Sequence, residues 1–157
     1  MKKLIYLFSI FSLLFLFNSC KKIEVTIEPT ITTETTIGNL CETTKAVESN
    51  SCYNTEKGFA VLYIQIPKNH ILSFDRANST KTALIFNSIG KEYGNNTKTE
   101  RVIVKNLSTN VSGSLNVKLN IKYDEYMCGD KIEKLGVKHK ESDVQGIPVT
   151  PCLLPRN

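Results

Sequence analysis

Over residues 115–123 the side chains alternate without a break. Leu115, Val117, Leu119, Ile121 and Tyr123 fall on one face of an extended chain, and Asn116, Lys118, Asn120 and Lys122 fall on the other. A helix would mix the two sets around its circumference. A strand with one face on a core and one in water keeps them apart, which is the pattern of an antiparallel sheet. Residues 101–107 (RVIVKNL) read as a second strand, and 108–113 (STNVSG) as a turn, so the pattern predicts a hairpin joining 101–107 to 115–123. Residues 59–66 (FAVLYIQI) are apolar on both faces except for Gln65, and are bounded by Gly58 and Pro67. Such a run predicts a central strand covered on both sides.

Two regions read differently. Ala83, Phe86 and Ile89, and again Ile85, Ile89 and Tyr93, recur at spacings of three and four. With Ser79 as N-cap and Gly94 as a stop, this predicts one amphipathic helix over 79–93, with a strand over 83–86 as the competing reading. After Cys128 a polar stretch predicts a loop-rich segment with one weak strand near 144–149. The fold expected from these elements is mostly β: a small antiparallel β-sandwich or barrel-like domain with one α-helix and two disulfides, occupying residues 39–157.

The N-terminus bears on location. Lys2 and Lys3 precede an apolar stretch of about 14 residues, shorter than the ~20 needed to span a bilayer. The stretch ends in Phe17-Asn18-Ser19-Cys20. These residues resemble the lipobox of bacterial lipoprotein precursors, with Asn18 where Ala or Ser is more usual. The resemblance covers residues 1–20 only. It implies that 1–19 are a signal peptide, that Cys20 becomes the first residue, and that its thiol carries diacylglycerol and its amine a fatty acyl chain such as palmitate. Two or more chains hold a protein stably at a membrane where one does not. Lys21 and Lys22 would then lie beside the headgroups. No acidic run follows Cys20, which favours an outer-membrane location facing the periplasm, with surface exposure as the alternative. Residues 20–38, rich in Thr, Glu and Ile, read as lipid anchor and tether, with a short strand where Ile23, Val25 and Ile27 alternate with Glu24, Thr26 and Glu28.

Five cysteines are present. Giving Cys20 to lipid leaves Cys41, Cys52, Cys128 and Cys152, an even set that predicts two disulfides in an exported protein. Of the three possible pairings, Cys41 with Cys52 and Cys128 with Cys152 close the shortest loops. No C-x-x-C spacing supports a metal site.

The remaining signals argue mainly against activities. The formal net charge is +5, and Arg76, Arg101 and Arg156 are the only arginines. That is too weak a footprint for nucleic acid. His139, Glu141, Ser142 and Asp143 are adjacent in sequence, whereas a catalytic triad is a spatial constellation, and no G-x-S-x-G occurs. His70 reads as a turn residue. Asp124, Glu125 and Asp130 lack the spacing of a calcium loop. Tyr123, Asp124, Glu125 and Tyr126 form the candidate binding edge, because Tyr buries area at recognition surfaces for little entropy. The expected function is therefore that of a non-catalytic, cofactor-free, lipid-anchored envelope protein with a binding or structural role toward a protein or glycan. The alternative is an inhibitor or immunity-type lipoprotein that blocks an envelope-active enzyme or toxin.

Overall fold

The computed structural model describes residues 21–28, 46–94, 96–109, 114–128, 131–141, 145–147 and 152, the backbone alone for Cys128 and for 131–141 apart from Gly136. Ten strands run in order: β1 (Glu24–Glu28), β2 (Cys52–Asn54), β3 (Phe59–Pro67), β4 (Ile71–Phe74), β5 (Ala83–Ile89), β6 (Glu92–Tyr93), β7 (Thr97–Lys105), β8 (Leu115–Cys128), β9 (Lys131–Glu141) and β10 (Gln145–Ile147). They form two sheets. Sheet A has four strands in the order β1-β7-β3-β2. Sheet B has six, in the order β10-β8-β5-β4, with β6 and β9 also paired to β8. The protein is mostly β, as its alternation predicts.

Each sheet offers one face to a shared core. From sheet A, Ala60, Leu62, Ile64 and Ile66 of β3 and Val102 and Val104 of β7 point inward. From sheet B, Leu84 and Phe86 of β5 and Leu115, Val117, Leu119 and Ile121 of β8 meet them. Each Val, Leu, Ile and Phe among them stabilises the fold by about 1.5–3 kcal/mol relative to exposure. The odd-numbered residues of β3 face away from this core and are still covered: Phe59 and Val61 form a second cluster with Cys152, against which Cys52 and Tyr63 pack. The central, doubly covered strand read from FAVLYIQI is therefore present.

Four expectations are corrected. First, 101–107 and 115–123 do not form a hairpin. β7 pairs with β1 and β3 in sheet A, whereas β8 pairs with strands of sheet B, so the connection crosses between sheets. Alternation specifies which face of a strand is buried, not which strand lies beside it. The connection leaves sheet A because Leu107 N–H donates to the Gly58 carbonyl (2.9 Å) and Tyr53 Oη–H donates to the Ser108 carbonyl (2.6 Å).

Second, 79–93 is not a helix, and no helix occurs among the described residues. The segment is β5 and β6, and Ser79 caps a turn: its Oγ accepts from Ile85 N–H (2.8 Å) and donates to the Asp75 carbonyl (2.6 Å). β5 does have a period of two, with Leu84, Phe86 and Ser88 buried. Polar Ser88 at a core position and apolar Ile85 and Ile89 on the opposite face disguise it. β5 and β6 also run parallel to β8, so sheet B is mixed rather than antiparallel.

Third, the polar stretch after Cys128 is a strand. β9 forms the antiparallel hairpin with β8. Fourth, the folded domain does not start at residue 39, because the short strand expected within 20–38 is present as β1 and belongs to sheet A. β1 pairs in register with β7, Glu24 opposite Lys105 and Glu28 opposite Arg101, so the folded domain begins four residues after Cys20. Residues 29–38 lie outside the described residues.

The two sheets meet along two lateral sides. On one, β1 lies against β4. On the other, Val47, bridged to Ile64, donates its N–H to Gln145 Oε1 (2.9 Å), joining the β2 side of sheet A to β10 of sheet B.

Candidate functional site

The expected binding edge sits at an irregularity of β8. Tyr123 pairs with Lys138 and Glu125 with Lys134, so Asp124 alone faces three residues of β9. Gly136, in the middle of those three, takes φ +67°, a left-handed conformation suited to glycine. The bulge resets the alternation and turns Tyr126 to the same side as Tyr123. Both rings then pack against the core around Tyr93, which is fully buried. Ring centroids lie 4.8 Å apart for Tyr93–Tyr123 and 5.5 Å for Tyr93–Tyr126, in stacked orientations. Burial raises the hydroxyl pKa of Tyr93 and Tyr123, so both stay neutral. Glu125 pairs with Lys91 (3.5 Å), and the N–H groups of Asp124 and Glu125 both donate to the Lys91 carbonyl. Of the four expected residues, Asp124 alone is exposed. The tyrosines hold the edge together rather than presenting it.

His70 is more than a turn residue. It follows the Pro67 turn but is 1% exposed. Nδ1 lies 3.0 Å from Ser88 Oγ, and Nε2 contacts the Glu92 carbonyl. Desolvation by burial lowers its pKa, so the ring is neutral. A carbonyl can only accept, so Nε2 carries the proton and Nδ1 accepts from Ser88 Oγ–H. Gly90 makes room for the ring, since a Cβ there would sit 2.1 Å from His70 Cδ2. A serine donating to a histidine is also the start of a nucleophile–base pair. Here Ser88 is fully buried, so no substrate carbonyl can reach it, and the pair ties β4, β5 and β6 together.

A different surface emerges on the outer face of sheet B. Lys118, Asn120 and Lys122 of β8 lie beside Ile85, Asn87 and Ile89 of β5. Asn120 Nδ2 donates to Asn87 Oδ1 (3.2 Å), and Asn87 Nδ2 to Asp75 Oδ2 (3.4 Å). The Asp75 carboxyl is held below its usual pKa chiefly by the Asn78 side-chain amide, and so stays ionised. Asn120 Oδ1 is buried with no hydrogen-bond partner among the described groups. Asn116 and Lys122 are exposed, as are Ile71 and Ile89, which pair across β4 and β5. Amides, cations and two aliphatic side chains thus share one face. The alternation over 115–122 predicts that this face is solvated and carries no signal for binding.

Basic groups gather at the start of β1. A shallow hollow of about 380 Å³ is lined by Lys21, Lys22, Ile23, Glu24, Arg76 and Asn106. Asn106, at φ 60°, donates from Nδ2 to the Lys22 carbonyl (2.8 Å) and fixes this entry to the fold.

Cys52 and Cys152, free thiols in this structure, lie together in the second cluster. Neither of the two expected disulfides is found among the described residues. Cys20, Cys41, Asp130, Ser142 and Asp143 lie outside the described residues, as does the side chain of Cys128. His139 lies in β9 opposite Lys122, with its backbone alone described. No group of three metal-ligating side chains occurs among the described residues.

No family model, no curated protein and no solved structure matches the chain.

Proposed function

We propose that this chain is a lipid-anchored envelope protein with a non-catalytic binding role, held by Cys20 and engaging a protein or glycan partner through the outer face of sheet B. The observation that carries the binding role is that face. It is rich in amides and cations and bordered by the exposed Ile71–Ile89 pair, features suited to recognition. Anchoring rests on the residues up to Cys20, and two placements agree with it. The first strand starts four residues beyond that cysteine, and Lys21, Lys22 and Arg76 gather where the chain enters the domain. Cations there would favour an anionic surface by about 1 kcal/mol each. The domain would then ride close to the bilayer rather than at the end of a long spacer.

The test has two parts. Alkyne-palmitate labelling of cells should tag the wild-type protein and not Cys20→Ser, which should leave the membrane fraction. Capture of the anchored protein should recover one partner with the wild type and with Lys57→Glu, and lose it with Asn116→Asp/Lys122→Glu. Equal recovery from all three would remove the sheet B face from the function.

A further inference from the structure

The geometry points to a disulfide between Cys52 and Cys152, a covalent clasp closing the sandwich along its β2/β10 side. The chain itself makes the crossing. Ile147, at the end of β10 in sheet B, is buried in the central core. Five residues later Cys152 is buried on the outer face of sheet A, packed with Phe59 and Val61. It sits over a prepared position. Cys52 and Asn54 are two apart on β2 and therefore share a face, opposite Val61 and Phe59 respectively. Asn54 Nδ2 donates to the Cys152 carbonyl (3.3 Å), holding the tail in place, and the Cys52 side chain lies against Cys152 in the same cluster. Two cysteines a hundred residues apart thus meet in an apolar pocket on two separately anchored backbones. A disulfide adds no polar group there. This pairing excludes both short-range bonds and leaves Cys41 and Cys128 as the remaining couple.

The oxidant is a disulfide exchange partner of the envelope. Cys52, half-buried, reacts first: its thiolate attacks one sulfur of the partner's disulfide, forming a mixed disulfide and releasing one partner thiol. The Cys152 thiolate then attacks the Cys52 sulfur, closing the bond and releasing the second partner thiol. Two protons and two electrons pass from the cysteine pair to the partner, whose disulfide becomes two thiols. Burial, with the neighbouring Cys52 thiol, pushes the Cys152 thiol up to about 12, which makes it a poor first nucleophile.

The oxidising compartment rests on the exported reading above, whereas the pairing does not, and a peptide map separates the two. Trypsin places each cysteine in its own peptide: residues 23–45, 46–57, 123–131 and 141–156. The full chain is taken from cells, its free thiols are alkylated, and it is digested without reduction. A second sample is first reduced and reoxidised in glutathione disulfide. The expected species in both is 46–57 joined to 141–156, lost in Cys152→Ala with 46–57 recovered alkylated. A joined species in the reoxidised sample alone upholds the pairing and refutes export. Peptide 46–57 joined to 23–45, 141–156 joined to 123–131, or both 46–57 and 141–156 alkylated after reoxidation, overturns the clasp.

Discussion

Strands β3 and β8 each run through the middle of a sheet, and each buries every second residue in the same core. Their other faces differ. On β3 the outward residues Phe59 and Val61 are 3% and 4% exposed, covered by Cys152 and flanked by Cys52 and Tyr63. On β8 the outward residues are Asn116, Lys118, Asn120 and Lys122, set beside the amide of Asn87. An unbroken apolar run therefore marks a sheet sealed on both sides, and a strict alternation marks one with a face left for something else. Cys152 covers the outer face of sheet A at Phe59 and Val61. The outer face of sheet B is the one proposed to bind.

Substitutions probe that contrast with graded effects. The core shared by both sheets is the most sensitive place. Phe86→Ala removes a fully buried ring packed against Phe74 (centroids 5.4 Å apart) and should cost about 3–5 kcal/mol in urea unfolding. Next comes the seal on sheet A. Cys52→Ser, compared with oxidised wild type, should lose about 2–4 kcal/mol, and the two should converge under strong reductant. Convergence without reductant would show that the tail is not clasped.

The His70 lock inside sheet B is smaller. Ser88→Ala leaves Nδ1 without its donor and should cost about 1–3 kcal/mol. His70 should also make stability depend on pH. Its folded pKa is below the ordinary 6.5, so the unfolded chain binds the proton more readily. Its contribution is complete above about pH 6.5 and is lost as pH falls from there through the folded value, with a slope of at most ~1.4 kcal/mol per pH unit. Denaturation midpoints between pH 7.5 and 5 should fall for the wild type and fall less for His70→Asn. The smallest effect on stability belongs to the open face: Lys122→Glu should change it by less than ~0.5 kcal/mol while weakening partner capture.

Much of this contrast is legible in the residue pattern. FAVLYIQI specifies the sealed strand and residues 115–122 the open one, because burial on one or both faces is a local property of a strand. Pairing is not local. Nothing in 101–107 or 115–123 records that the chain between them changes sheets, a choice made by Leu107 and Ser108 docking beside Gly58 and Tyr53. The strand read as the alternative over 83–86 is β5, and its pattern is masked because Ser88 faces inward to meet His70, a partner eighteen residues away. β9 carries too few apolar residues for its sequence to mark it as a strand. The bulge at Asp124 turned an apparent tyrosine edge into a stack around Tyr93, and the only sequence signal for it was Gly136. That Cys52 and Cys152 share one cluster depends on where Cys152 comes to lie, which no local spacing records.

The most direct test places a photoreactive residue at Lys122 on the outer face of sheet B or at Tyr63 on that of sheet A, in the anchored protein in its own envelope. The expected result is an intermolecular adduct from position 122, and only intramolecular links or none from position 63. An intermolecular adduct from 63 with none from 122 would contradict the division between a sealed sheet A and a working sheet B.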